Sequence, residues 1–544
     1  MNLTLNQKAP GTLDFIFLAA IAALVIFPGL GQVRACISNE ILHAETIREM
    51  AESGDYVETK VLGVRIPDKP PVMHAPAALL TRWSGRPSMA LARLPSALAG
   101  LLGILATYGI GLALLDRRTA LIGAVALLGV PGYGLLAREA LPDMILCTGI
   151  LFSCLCLSLG MRTLKPFIRI LCLAAAGFGA GVGVLAKGPF GFLFPVFFAV
   201  LVPFGRAEWR RPRLGWLAFG VGLLVAVGIW GVPAYLRDHG VYLRQVIFQY
   251  DLSLTVEEKT KPFYTYLVVG FVSALPLSIF LPITITDLRR HGYSPLLAVA
   301  AAILVVLTCV SKKRDHYLLP MYPFLTLAIA ASIVRHSETS RLVKRAAWML
   351  VPLSLAGFPL FFTFIQPLVL PKEDPEIHFA KEAIPIIGPN GRVYCVDVKA
   401  EVLAWVARRY KGIVQLNMDS PAATDQLRQA AEGTYLLIDQ RSVDKLLNTT
   451  GALPLNKVLS RRVEKNTWIL FRLGVVPEET DPKAGMVPYP MANGPEAAFK
   501  EVRSKIWWSE PSSMDWVSPA ALHAGQGMAS PYLPGLMLIR NREH

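Results

Sequence analysis

Asp116-Arg117-Arg118, Arg162-Thr163-Leu164-Lys165-Pro166-Phe167-Ile168-Arg169 and Arg206-Ala207-Glu208-Trp209-Arg210-Arg211-Pro212-Arg213 are short polar links between long apolar runs. With Arg289-Arg290 and the stretch 335–345, these links hold fifteen Lys and Arg residues. The links around Arg138, Lys187 and Lys312 to Arg314 hold five. Eleven apolar segments between about Leu13 and Phe364 separate them, and Arg-rich links alternate with Arg-poor ones. Translocating Lys and Arg is unfavourable, so cytoplasmic loops retain them. The alternation predicts a polytopic α-helical protein of a bacterial inner membrane, with its N-terminus and Arg-rich links in the cytoplasm.

The predicted spans cover residues 13–33, 89–115, 119–136, 143–161, 167–186, 189–204, 214–236, 264–286, 294–310, 316–334 and 346–366. Each is near the length that crosses a hydrocarbon layer of about 30 Å. An odd number of crossings puts the C-terminal part in the periplasm. The first stretch lacks a small-residue cleavage signature and reads as a retained helix. A hydrophobic fraction of 53% and a charged fraction of 17% agree with a helical bundle. The net charge of +15 sits largely in the cytoplasmic links, so topology explains it better than nucleic acid does.

Residues 1–366 thus form a transmembrane domain with two long periplasmic loops, 34–88 and 237–262. In the first loop, Ile41, Ala44, Ile47 and Met50 recur at helical spacing, and a second helix is expected over 76–83. Both read as amphipathic helices at headgroup depth. Residues 367–476 turn soluble in character. Short strands at 392–397, 413–417 and 435–439, helices at 401–409 and 425–431, and a hairpin at 458–473 predict a small periplasmic α/β domain. From 477 to 544, Pro, Gly, Met and Trp scatter without period and predict a poorly ordered tail.

Polar groups at span ends need a chemical reason. Four outer clusters stand out: Asn39-Glu40 with His43, Glu45, Arg48 and Glu49; Pro67-Asp68-Lys69-Pro70-Pro71; Arg138 to Asp143; and Lys312-Lys313-Arg314-Asp315-His316-Tyr317. Together they offer carboxylates able to activate a hydroxyl and cations able to hold a phosphate.

The runs "EILHAETIREMAESGDYV", "IPDKPP", "REALPDM", "LAKGP" and "RDHYLLPMYP" resemble, in order and spacing, bacterial members of the GT-C glycosyltransferases. The resemblance covers about residues 13–335 and is to the protein-mannosyltransferase and aminoarabinose (lipid A) transferase group. It implies transfer of a sugar, with inversion, from a polyprenyl (undecaprenyl) phosphate to lipid A, a glycan or a protein at the periplasmic face. By the same resemblance Lys69 binds the donor phosphate. Tyr317 and His316 assist, Arg314 adds charge, and Asp143 is a carboxylate near the reacting centre. It also leaves room for a divalent cation, although no two His or Cys residues here show metal-ligand spacing.

One departure matters. The family's first-loop motif usually begins Asp-Glu and continues with an Arg and an aromatic; here those positions are Asn39, Glu40, Leu42 and His43. An amide cannot take a proton, so the base is Glu40 or Asp143, or the acceptor arrives ionised, or the chain is a degenerate homologue. His43 stands where a phosphate-binding aromatic is expected. A lipid-linked substrate transporter is the competing class, but it predicts charge near the span centres and inverted repeats, and neither is evident. Gly177, Gly179, Gly181 and Gly183 lie within a span and predict close helix contact rather than a phosphate loop.

Overall fold

A computed structural model describes residues 12–31, 40–66, 69–203, 215–247, 262–291, 294–310, 313–360, 374–418, 421–430, 433–450, 453–463 and 466–474. Asn39, Asp68, the link 206–213, residues 248–261 of the second long loop, 361–366 and the tail from 477 lie outside the described residues.

Helices stand at all eleven predicted positions. The first are α1 (Thr12–Ile26), α4 (Met89–Leu114), α5 (Arg117–Leu128), α6 (Pro131–Leu136), α7 (Asp143–Arg162), α8 (Pro166–Lys187), α9 (Phe190–Leu201) and α10 (Gly215–Asp238). Helices at Pro295–Cys309 and Arg341–Leu360 follow a bent pair, and a 3-10 turn at Asp315–Met321 leads into Tyr322–Ser337. Among the described residues, α4, α7, α8, α10 and Asp315–Ser337 are long and apolar enough to cross a membrane. The chain is a multi-pass membrane protein.

Two predicted spans are not single helices. The span 119–136 is divided into α5 and α6, because Pro131 pushes Val130 into extended backbone (φ −80°, ψ 110°) and removes a helical donor. The span 264–286 becomes Thr265–Ser273 and Leu277–Asp287, bent by 110° around residues 274–276.

Close helix contact follows the glycine stripe. A Cβ on Gly149 of α7 would lie 2.8 Å from the Gly179 carbonyl oxygen and 3.0 Å from the Gly183 nitrogen of α8. On another side of α8, a Cβ on Gly177 would overlap the Phe219 carbonyl of α10 at 1.8 Å. Only hydrogen fits at these contacts, so backbones pack without intervening side chains. The first outward residue of α7, Asp143, and the last of α8, Lys187, are thereby brought to the same end of the pair. The links at 116–118 and 162–165 fall at the opposite end, where Arg162 of α7 donates to the Ala113 carbonyl near the end of α4 at 2.8 Å. Asp14 of α1 takes Arg117 at 2.6 Å.

In the first loop, α2 (Glu40–Ser53) and α3 (His74–Ser84) flank a hairpin of β1 (Lys60–Val61) and β2 (Val64–Arg65) that the sequence reading missed. Only α3 is amphipathic as expected: Ala77, Ala78 and Thr81 are buried while Leu79 and Trp83 are exposed. In α2 every residue from Glu40 to Ala51 is buried. Arg48 pairs with Glu45 and Glu52 within the helix, while Glu40 is taken by Arg93 and Glu49 by backbone N–H groups of the hairpin, so these charges need no aqueous face.

Residues 1–386 and 400–413 form one compact unit, and 387–399 with the residues from 414 form a second. The second carries a mixed sheet in the order β4 (Ile413–Leu416), β3 (Val393–Val396), β5 (Tyr435–Asp439), β7 (Asn466–Leu473), β6 (Leu455–Val463). β3 and β5 are parallel, whereas β5–β7 and β6–β7 are antiparallel. Helices at Pro375–Ile387 and Val443–Thr450 were not expected.

Candidate functional site

Asp143 is the first residue of α7 and is buried. Three contacts fix the turn before it. The Ala140 N–H donates to Glu40 Oε1 at 2.9 Å, and Ser96 Oγ donates to the Leu141 carbonyl at 2.9 Å. Arg138 donates to the carbonyls of Ile26 at 2.8 Å and Pro28 at 2.7 Å, closing the end of α1. Glu40 is fully buried and is also gripped by Arg93 through two bonds of 2.6 and 2.8 Å. Arg93 in turn donates to the Leu30 carbonyl at 2.6 Å. The bidentate pair orients both groups. Glu40 therefore holds the Asp143 turn.

Lys187 closes α8. Gly188, at φ +71°, reverses the chain immediately after it, and its N–H returns to the Val184 carbonyl at 2.7 Å. A side chain in that backbone conformation would be strained. The Lys187 ammonium donates to Asp143 Oδ1 and lies 4.1 Å from the Tyr317 ring centroid. His316 packs edge-on against Tyr317, with centroids 5.0 Å apart. His316 and Lys69 are within electrostatic range of Asp143, and Lys69 and Arg314 are within range of Lys187. The Tyr266 hydroxyl pins the Arg314 backbone, accepting from its N–H at 3.0 Å and donating to its carbonyl at 3.1 Å.

The loop that carries Lys69 is fastened from two sides. Glu49 of α2 accepts from the Leu62 N–H at 2.5 Å and the Gly63 N–H at 3.0 Å. Burial, with the Glu45 carboxylate adding to it, pushes Glu49 up to about 7 despite these bonds. At the end of α10, Asp238 takes Arg65 at 2.8 Å and Arg237 takes Asp55 at 2.6 Å. Burial opposes ionisation of Asp55, but bonds from Lys60, Val57 and Arg237 outweigh it and hold the carboxyl at about 2.

The structure thus gathers Asp143, Lys69, His316, Tyr317 and Arg314. His43 lies against His74, with ring nitrogens 2.9 Å apart, and Glu40 belongs to the Arg93 pair. Lys187 and Arg93 were not singled out from sequence. A lone Lys ending an Arg-poor span, with Gly-Pro behind it, was the available signal for Lys187. Among the described residues, no three His, Cys, Asp or Glu side chains are placed to share a metal ion.

Residues 68–230 match the dolichyl-phosphate-mannose-protein mannosyltransferase family. A crystal structure of ArnT from Cupriavidus metallidurans bound to undecaprenyl phosphate superposes with a TM-score of 0.68 at 18% identity, covering 84% of this chain and 97% of that one. The chain shares the fold of that structure. In sequence, the chain is 27% identical over 313 residues to the undecaprenyl phosphate-alpha-4-amino-4-deoxy-L-arabinose arabinosyl transferase of Aeromonas salmonicida. That match covers 54% of the chain and 55% of the transferase, about half of each. An uncharacterised protein of Aquifex aeolicus is 26% identical over 371 residues, covering 65% of this chain and 71% of its own length.

Proposed function

We propose that this protein transfers a sugar from a polyprenyl phosphate, such as undecaprenyl phosphate, to an envelope acceptor at the periplasmic face of the inner membrane. The observation that carries the reading is the pairing of Lys187 with the Asp143 carboxylate at the mouth of α7 and α8, with Lys69 within electrostatic range of both and Arg314 within range of Lys187. Such a cluster suits an anion that gains charge as its bond breaks.

In the step, an acceptor oxygen attacks the anomeric carbon from the face opposite the phosphate. The new C–O bond forms as the old one breaks, its electron pair stays on the phosphate oxygen, and the configuration inverts. Lys69 and Lys187 stabilise that charge, with Tyr317 framing Lys187, and Asp143 accepts the proton of a hydroxyl acceptor. Glu40, gripped by Arg93, is a positioning residue. The acceptor is lipid A, another glycan or a protein. Eleven crossings and a periplasmic C-terminal unit follow from the alternation of the links. Among the described residues five helices are long and apolar enough to cross, and Asp143 and Lys187 lie at the Arg-poor ends of two of them.

The test is release of lipid phosphate from a panel of undecaprenyl-phosphate sugars by the purified protein. Release coupled to a glycosylated acceptor supports the reading. A folded protein that turns over none of the panel contradicts it.

A further inference from the structure

The helix Ala400–Ala407 ends in a turn that costs more than it needs to. The Arg409 N–H reaches the Ala404 carbonyl at 3.2 Å and the Arg408 N–H reaches the Trp405 carbonyl at 3.3 Å. This bond pair is the Schellman termination, in which the first residue past the helix adopts the left-handed conformation and is usually Gly. Here that residue is Arg408, at φ +53°. Gly would relieve the Cβ clash, so a strained non-glycine residue invites a functional reason.

The reason is visible around it. Arg408, Arg409, Tyr410 and Lys411, with Glu52 and Ser53 from the end of α2, line an open cavity of about 320 Å³. Tyr410 anchors the turn, for the Arg48 guanidinium lies 5.6 Å from its ring centroid. The Glu52 carboxylate is taken by Arg48 at 2.6 Å. Three cations therefore line the cavity opposite one carboxylate, Glu52, which shares Arg48 with Glu45. Arg409 Nη1 donates to the Lys411 backbone carbonyl at 3.1 Å, which ties the Arg409 side chain to this turn.

We propose that this cavity binds a phosphate-bearing group on the acceptor. Planar guanidinium donors and a mobile ammonium on one rigid turn match a multiply charged phosphate. The assignment of the group to the acceptor rests on the transferase reading; the anion site itself does not.

The experiment is isothermal titration of the purified full-length protein with dihexanoyl phosphatidic acid and, separately, with inorganic pyrophosphate. No donor is present, so failure of the transferase reading leaves the result interpretable. Wild type is expected to bind the phosphatidic acid. Arg408→Gly should weaken binding roughly tenfold, as removal of one charge-assisted contact does, while its thermal midpoint stays equal or rises because glycine suits the turn. Arg409→Gln should weaken it similarly. Pyrophosphate binding with the same dependence on Arg408 assigns the site to free phosphates as well as lipid headgroups. The proposal is overturned if neither probe binds wild type, or if both variants bind as wild type does.

Discussion

The Lys187 ammonium lies 4.1 Å from the centroid of the Tyr317 ring while it donates to Asp143, so one cation joins two helix ends separated by 44 residues of sequence to the 3-10 turn at 315–321. The ring face is negative and favours the cation, and the carboxylate fixes its position. Replacing Lys187 by Met should leave Asp143 buried without its counter-charge, a loss of about 3–5 kcal/mol in stability for a broken buried pair. Thermal unfolding in detergent measures it. The double variant Lys187→Met/Asp143→Leu should recover most of that loss and remain inactive.

Tyr317 contributes a ring and a hydroxyl, and two substitutions separate them. Tyr317→Phe keeps the face over Lys187, so stability should be unchanged while the donor KM rises if the hydroxyl meets the phosphate. Tyr317→Leu should also lose about 0.5–2 kcal/mol of stability, the range of a cation–π contact. Paired kinetic and melting measurements on both variants check this.

Glu40 and Arg93 are both buried and bond each other twice. Arg93→Leu should destabilise the protein by about 3–5 kcal/mol by stranding Glu40. Glu40→Gln, which can still accept the Ala140 N–H, should retain donor affinity and lower kcat through a displaced Asp143. A Glu40→Gln protein with an unchanged pH profile and reduced kcat fits positioning; loss of the acidic limb of that profile alone would assign Glu40 the proton transfer instead.

The pH dependence of stability carries a sign. Glu49 is raised from 4.5 to about 7, so the native protein holds a proton there that the unfolded chain has released. Its contribution is complete below about 4.5 and is lost as pH rises through 7, so stability should fall with rising pH in that window. Glu49→Gln should flatten the slope. Asp55, lowered from 3.8 to about 2, acts with the opposite sign in a separate window: its contribution is present above 3.8 and is lost as pH falls through 2. Unfolding midpoints across pH 5–8 compare wild type with Glu49→Gln.

Much of the fold was legible because the bilayer imposes a length and a charge rule on each segment in isolation. Gly177 to Gly183 could be read as a packing stripe for the same reason: small residues in an apolar run have few other uses. Asp143, Lys69, His316, Tyr317 and Arg314 were readable as polar groups in the Arg-poor links and the first long loop. What stayed hidden was pairing at a distance. Lys187 at a span end looks like any snorkelling lysine, and only the approach of α7 to α8 at Gly149 shows that it faces Asp143. Arg93 sits in an apolar run, and its partner is 53 residues away. The charged residues of α2 mimicked a solvated face because ion pairs such as Arg48–Glu45 satisfy them internally.

The most direct measurement is the affinity of undecaprenyl phosphate for purified wild type, Lys69→Ala and Asp143→Asn. The cation cluster predicts that Lys69→Ala weakens binding at least about tenfold, the effect of losing one charge-assisted contact. It also predicts that Asp143→Asn binds as tightly as wild type or tighter, because a negative charge has left the site. Unchanged affinity in Lys69→Ala, or binding abolished in a folded Asp143→Asn protein, would contradict the account.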